Sequence, residues 1–188
     1  MNLSNLARPI TFFLALAACS GGITTTYVSY EAVGVPRLFL YAAAAGDIQT
    51  VIYGNPSSAP KAAFDASVVD AMQGHGWGAD ATFAAARPGD ARDGYRVVMV
   101  FSGARHFGGA AACRDVDAAA LAPVSGRVGM QAAFCHRDEV LSQTHVEFAS
   151  LGGVDDPALD RAVSLALADL FPPRDLSKEP PDVVVPPP

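Results

Sequence analysis

Charged side chains are scarce in this sequence, and cationic ones are the scarcer kind. Only 17% of the 188 residues are Asp, Glu, Lys or Arg, with 13 Lys and Arg against 19 Asp and Glu. Proteins that bind nucleic acids or anionic lipid headgroups need a surplus of positive charge at the contact surface. The deficit therefore argues against nucleic acid as a partner and against headgroup attraction as a means of membrane binding.

Catalytic and cofactor-binding motifs are missing as well. The sequence has no GxSxG, no Gly-rich loop ending in Lys-Ser/Thr, and no GxGxxG after a predicted strand. Ser102 and His106 lie close together in the chain, but a hydrolytic triad is assembled in space and needs an orienting acid. We interpret that pair as part of a loop. We therefore predict no catalytic residue, no cofactor, and a function that is not enzymatic.

No apolar run is long enough to cross a membrane. The stretch from Ile10 to Ala18 is almost wholly apolar but only about nine residues long, whereas a spanning helix needs roughly 20. A signal-peptide core needs about 7–15 apolar residues. Arg8 precedes the run, and no acidic residue occurs before Cys19. This pattern predicts a signal peptide over residues 1–18.

The end of that run, Leu16-Ala17-Ala18-Cys19, resembles the lipobox of bacterial lipoprotein precursors. The resemblance implies diacylglyceryl transfer to the Cys19 sulfur, cleavage after Ala18, and acylation of the new amine. Three acyl chains would anchor the protein stably, because one myristoyl chain holds a protein only marginally. The alternative is an ordinary secretory signal cleaved near Ala18, which would leave Cys19 as a free thiol.

The residue after Cys19 bears on which membrane holds the protein. In enterobacterial lipoproteins, which this segment resembles, an Asp at that position favours retention in the inner membrane, and here it is Ser20. The resemblance therefore implies the outer membrane, facing the periplasm. We predict a lipidated Cys and short tether over residues 19–35. The predicted partners are the lipid bilayer, through acylated Cys19, and another protein of the cell envelope.

Two further cysteines, Cys113 and Cys135, occur in the predicted periplasmic part. In an oxidising compartment an isolated pair predicts one disulfide, which would contribute about 3 kcal/mol in the chain-entropy model. Two free thiols are one alternative. A metal or redox site is another, because His136 adjoins Cys135 and His106 precedes Cys113, although no CxxC or HxxxH spacing supports a metal.

Periodicity predicts one α+β domain over residues 36–171. We expect an antiparallel or mixed sheet of about five strands with two helices packed on it, as a two-layer sandwich. The first two strands are predicted to form a hairpin, and so are the last two. After residue 171 the chain is rich in proline, which predicts a disordered tail over residues 172–188 or, alternatively, a docking peptide. Strands are predicted at 37–43, 48–53, 95–102, 127–136 and 140–149, and helices at 60–73 and 157–170.

A few polar and aromatic residues are candidates for ligand binding. His145 and Glu147 share one face of a predicted strand and could bind a metal together with Gln131 or Gln143. The alternative is a solvated polar face. Trp77, between two glycines, could stack on a ligand or pack the end of a helix against the sheet. A small-ligand or metal-binding module is thus the second functional hypothesis, and it requires its groups to converge in a pocket; those groups are His106, His136, His145 or Trp77.

The region after the lipobox resembles small α+β lipoproteins of unknown function from Gram-negative envelopes. The resemblance lies in the helix that begins FDASVVDAM, the strand DGYRVVMVF, and a C-terminal helix ending in Leu-Phe-Pro-Pro. It implies no established activity and no active site. The sequence therefore favours a non-catalytic adaptor, assembly factor or structural component of the envelope, which acts through its surface.

Overall fold

The computed structural model describes residues 22–75, 81–87, 94–103, 107–114, 116–117, 121, 124 and 126–172. The signal peptide and lipobox, the tail beyond Pro172, Trp77 and His106 lie outside these residues. No helix within the described ranges is long and apolar enough to cross a membrane. In chain order the elements are β1 Thr24–Tyr30, α1 Val35–Ala44, β2 Ile48–Tyr53, α2 Lys61–Met72, β3 Phe83–Ala86, β4 Tyr95–Gly103, α3 Gly109–Arg114, β5 Arg127–His136, β6 Glu139–Ala149 and α4 Pro157–Leu170.

In the described part of the chain the strands form one mixed sheet in the order β1-β6-β5-β4-β2-β3. The neighbours β1–β6, β6–β5 and β5–β4 pair antiparallel, while β2 pairs parallel with both β4 and β3. The α+β class and the mixed sheet are confirmed. The expected count of five strands and two helices is too low, because these described residues form six strands and four helices.

The predicted strand at residues 37–43 is wrong, because this segment belongs to helix α1. Pro36 lies in the first turn of α1, where its fixed φ suits the helix and its missing N–H is no loss. Val35, Phe39 and Ala42 are buried at helical spacing. The surrounding positions are also apolar, so the sequence shows no clear alternation between faces. The first hairpin is wrong too, since β2 pairs with β4 and β3.

Strand β1 lies within the segment predicted as a tether. It pairs antiparallel with β6, from Thr24 opposite Glu147 to Tyr30 opposite Ser142, with a bulge between Thr25 and Tyr27. Six of its seven residues, all but Ser29 of TTTYVSY, are the β-branched or aromatic types that favour strands. The folded domain therefore begins about a dozen residues earlier than predicted.

Helix α4 holds β1 through hydrogen bonds to a single residue, Asp169. The Thr25 and Thr144 hydroxyls donate to Asp169 Oδ2, at 2.8 and 2.9 Å. The Tyr30 hydroxyl donates to the Asp169 carbonyl oxygen at 2.8 Å. Burial raises the pKa of Tyr30, and the negative charge of Asp169 raises it further. The first strand is thus attached to the last helix through polar groups.

One face of the sheet carries the main core, beneath α1, α2 and α4. Alternate residues of β5 point into it, and Val146 and Phe148 of β6 lie beside them, as the sequence predicts. Helices α2 and α4 agree with their predicted bounds to within a residue or so. Asp156 caps α4 by accepting the Ala158 N–H at 2.9 Å. The core residues of β5 are Val128, Met130, Ala132 and Phe134.

The other face carries a smaller core beneath α3. Val98 and Val100 of β4 pack there with Cys113 of α3 and Cys135 of β5. β4 is consequently buried on both faces, which confirms its prediction as a central strand. Because α3 covers part of this second face, helices pack on both faces of the sheet, whereas the sequence predicts a two-layer sandwich.

Candidate functional site

The polar candidates of β5 and β6 come together on the face that carries α3. Gln131 lies directly opposite His145 in the sheet register, and Gln143 and Glu147 are the next residues on the same side of β6. The shared face predicted for His145 and Glu147 is confirmed. We call Gln131, Gln143, His145 and Glu147 the polar cluster.

The polar cluster is largely shielded from solvent. Gln131 is 1%, Gln143 8% and His145 3% exposed, while the side chain of Glu147 is 27% exposed. The interpretation as a solvated polar face is therefore wrong for the first three residues. The cause is α3, which packs against β5 and β6. Burying polar groups is costly unless they form hydrogen bonds, so their contacts decide what the cluster can do.

Gln143 connects two neighbouring segments. Its Oε1 accepts the backbone N–H of Gly109, the first residue of α3, at 2.7 Å. Its Nε2 donates to Glu31 Oε1 at 3.4 Å, and the Ser29 hydroxyl donates to the same oxygen at 2.6 Å. One buried carboxamide thus joins the start of α3 to the end of β1.

Replacing Gly109 with Ala should destabilise the domain. An added Cβ would lie 2.6 Å from Gln143 Oε1 and 2.9 Å from Gln143 Cβ, so the side chain or α3 must shift. We expect a loss of about 1–3 kcal/mol in the free energy of unfolding, as for other overpacked sites. Urea denaturation measures it. Gly108→Ala is the matched control, because its Cβ would meet no atom within 4 Å; equal stability of the two variants would contradict the expectation.

The rest of the cluster combines an imidazole, a carboxylate and a second carboxamide. His145 Nε2 lies 3.9 Å from Glu147 Oε1, and Arg127 Nε lies 3.4 Å from Glu147 Oε2. Gln131 Nε2 donates to the Ala132 carbonyl oxygen, but its buried Oε1 has no hydrogen-bond partner in the described structure. A hydrogen-bond donor, such as a buried water, would satisfy that oxygen.

The donor set of the cluster does not favour a metal ion. The positive charge of Arg127 beside Glu147 opposes a second cation at that carboxylate. Among the described residues, no group of three or more His, Cys, Asp and Glu side chains is arranged to hold a metal. The predicted pairing of His145 with Glu147 is therefore a polar contact in this structure.

The other candidates lie elsewhere. His136 stacks on Tyr95, with ring centroids 4.5 Å apart, on the opposite face of the sheet from His145. Those two histidines do not converge. The Ser102 hydroxyl donates to the Gly103 carbonyl oxygen at 3.0 Å. Cys19, His106 and Trp77 are outside the described residues.

The predicted disulfide is confirmed. Cys113 of α3 and Cys135 of β5 are bonded, with their Cα atoms 5.6 Å apart. The Arg96 side chain, itself buried, donates from Nη2 to the Cys113 carbonyl oxygen. Together these two contacts hold α3 on the sheet beside the polar cluster.

The edge strand β1 is the feature that the sequence interpretation missed. It is the first strand of the sheet order, so among the described strands only β6 pairs with it. Its seven residues include no charge and no proline, and Tyr27 and Val28 are 41% and 37% exposed. Edge strands are usually protected by charges, prolines or bulges. Of these protections, β1 has only its bulge. The strand-favouring composition of TTTYVSY could have identified this strand from the sequence alone.

No protein-family model and no curated protein matches the sequence. Among solved structures, the PelC dodecamer from Paraburkholderia phytofirmans is similar at 14% identity and a TM-score of 0.38, over 82% of this chain and 97% of that one. A point variant of the same protein gives 15% and 0.39, over 81% and 98%. A likeness of this degree establishes no shared function.

Proposed function

We propose that this protein is a lipid-anchored, non-catalytic adaptor of the outer membrane that binds another envelope protein along strand β1. The observation that carries the proposal is an uncharged, seven-residue edge strand with exposed Tyr27 and Val28. An extended peptide can add to such an edge, with main-chain hydrogen bonds giving affinity and alternate side chains giving specificity.

The proposed anchor would keep this edge near the membrane. With Cys19 acylated, only five residues lead to Thr24, and an extended chain of that length spans at most about 17 Å. Strand β1 would then begin close to the bilayer surface. A partner that runs along or through the membrane surface could meet it there.

The disulfide supports export from the cytoplasm. Disulfides persist in oxidising compartments such as the periplasm and are rare where thiols are kept reduced. The bond between Cys113 and Cys135 is therefore in keeping with the proposed location.

The edge also defines what kind of segment it would bind. Because β1 has no charge, the added strand should be uncharged where the two pair, with small or apolar side chains beside Tyr27 and Val28. Glu31, an exposed acidic residue, follows β1 directly. We therefore expect a basic residue at the end of the partner segment that would meet this carboxylate.

Site-specific photocrosslinking in intact envelopes tests the proposal. A benzophenone amino acid at Tyr27 should give a UV-dependent adduct with a discrete partner protein. The same group at Ala85, an exposed residue of the opposite edge strand β3, is the matched control and should not. Adding Val28→Lys should abolish the Tyr27 adduct while the domain stays folded, because a lysine in an edge strand opposes pairing.

Two results would count against a β1 docking edge. One is a Tyr27 probe that gives no adduct, or the same adducts as the Ala85 probe. The other is a Tyr27 adduct that persists when Val28→Lys is present. Thermal unfolding of each variant shows that the fold is intact, since both probe sites are exposed.

A further inference from the structure

Helix α1 exposes apolar side chains at one end of the sheet. Val33, just before α1, is 70% exposed, and Leu40 and Tyr41 of α1 are 43% and 67% exposed; Arg37 is the only charged residue of the helix. α1 connects the end of β1 to the start of β2, so it lies at the opposite end of β1 from Thr24. Grouped apolar exposure of this kind marks an interaction site.

An aromatic notch lies beside these residues. The ring of Tyr41 meets that of Tyr95 at 68°, with centroids 5.9 Å apart. Tyr95 in turn stacks on His136 and, at 5.8 Å, on Phe134. We call this edge-to-face pair of tyrosine rings the aromatic notch, and its Tyr41 is 67% exposed. An exposed tyrosine ring suits proline, because a polyproline II segment is already extended and packs its rings against aromatic faces.

The chain leaves the described fold next to this notch. Phe171 is the residue after α4, and its ring centroid lies 4.1 Å from that of Phe39 and 5.0 Å from that of Phe134. The Phe171–Phe134 and Phe134–Tyr95 centroid distances, 5.0 and 5.8 Å, bound the separation of Phe171 and Tyr95 at about 11 Å. The proline-rich residues that follow therefore begin within reach of the notch.

We propose that the segment Pro180–Pro188 of the same chain binds in this notch and covers the apolar face of α1. Its sequence, PPDVVVPPP, offers prolines for the tyrosine rings and three valines for Leu40. In polyproline II the residues from 172 to 180 would reach about 25 Å, more than the distance required. Such a short connection gives a millimolar effective concentration, so weak contacts suffice.

The charges of the tail and of helix α1 are opposite in sign. Glu179 and Asp182 are the charged residues between Lys178 and Pro188, and both are acidic. Arg37 is exposed on α1, where it can attract these carboxylates. This contact involves α1 and the tail only, so it does not depend on what binds strand β1.

Hydroxyl-radical footprinting of the purified full chain tests the proposal. In a variant with serine in place of all five prolines of Pro180–Pro188, oxidation of Tyr41 should rise at least about threefold, because a millimolar effective concentration keeps even a weak site mostly occupied in the parent chain. Tyr27, which is 41% exposed on the edge strand β1, is the internal control and should not change.

A second variant probes the notch itself. Tyr41→Ala should speed cleavage of the tail by a nonspecific protease, whereas Tyr41→Phe, which keeps the ring, should not. Unchanged oxidation of Tyr41, or an equal rise at Tyr27, would overturn the proposal. Protection of Tyr41 that disappears on dilution would also overturn it, since the occupant would then be the tail of a second copy.

Discussion

Replacing Cys19 with Ser should leave the protein as an uncleaved precursor that incorporates no acyl chain. The diacylglyceryl group would be joined to sulfur, and a thiol supplies a nucleophilic thiolate that a serine hydroxyl cannot match. The expected effect is complete loss of labelling by radioactive palmitate, with residues 1–18 retained. Intact-mass spectrometry of the membrane fraction measures both.

A neighbouring hydroxyl provides the control for this experiment. Ser20→Ala should leave acylation and cleavage unchanged, because the modified atom is the Cys19 sulfur. Labelled Cys19→Ser protein would refute the lipobox. A parent protein cleaved near Ala18 but free of acyl chains would instead support the ordinary secretory signal, and the domain would then have no lipid anchor.

Breaking the Cys113–Cys135 bond should cost about 3 kcal/mol in the free energy of unfolding. The two cysteines are 22 residues apart, and a loop of that size contributes roughly this amount in the chain-entropy model. For a domain of this length the loss corresponds to a fall in Tm of about 6–12 °C. Thermal unfolding with and without a reductant measures it.

The structure adds a local effect to that global one. α3 has only six residues and is held by the disulfide, by Arg96 and by the contact of Gly109 with Gln143. Reduction should therefore raise amide hydrogen exchange in α3 far more than in α4.

The reduced parent protein is the better reference for these measurements. Paired Cys113→Ala and Cys135→Ala substitutions also remove buried atoms, whereas the reduced thiols keep their volume. Stability and exchange that do not respond to the reductant would contradict the predicted contribution of the bond. Titration of the unreduced protein should likewise detect neither thiol.

The polar cluster shows how far sequence patterns reach at the candidate site. Strict alternation along β6 predicts that Gln143, His145 and Glu147 share a face, and they do. The burial of Gln143 and His145 was not predictable in the same way, because the cover comes from α3, about thirty residues away. The short segment GAAACR has no amphipathic pattern of its own. It is positioned by a covalent bond and by one close approach at Gly109.

Helix α1 and strand β1 were missed for different physical reasons. The segment around Phe39 is apolar at most positions, so neither a period of two nor one of 3.6 stands out. In the fold, the ring of Phe39 packs against those of Phe83, Phe134 and Phe171, all of which are distant in sequence. TTTYVSY has a clear strand composition, but its closeness to the predicted lipidation site suggested a tether. Its partner, β6, lies more than a hundred residues away.

The sequence by itself determined what depends on neighbouring residues: the bounds of α2 and α4, the β5–β6 hairpin with its two faces, and the central character of β4. It also predicts the signal peptide and acylated Cys19 from local motifs. Only the tertiary structure decided that β1 is an edge strand, that α3 shields the polar cluster, and that Phe171 packs against Phe39 and Phe134. These depend on which surfaces remain uncovered once distant segments have packed, and such surfaces have no local periodicity to reveal them.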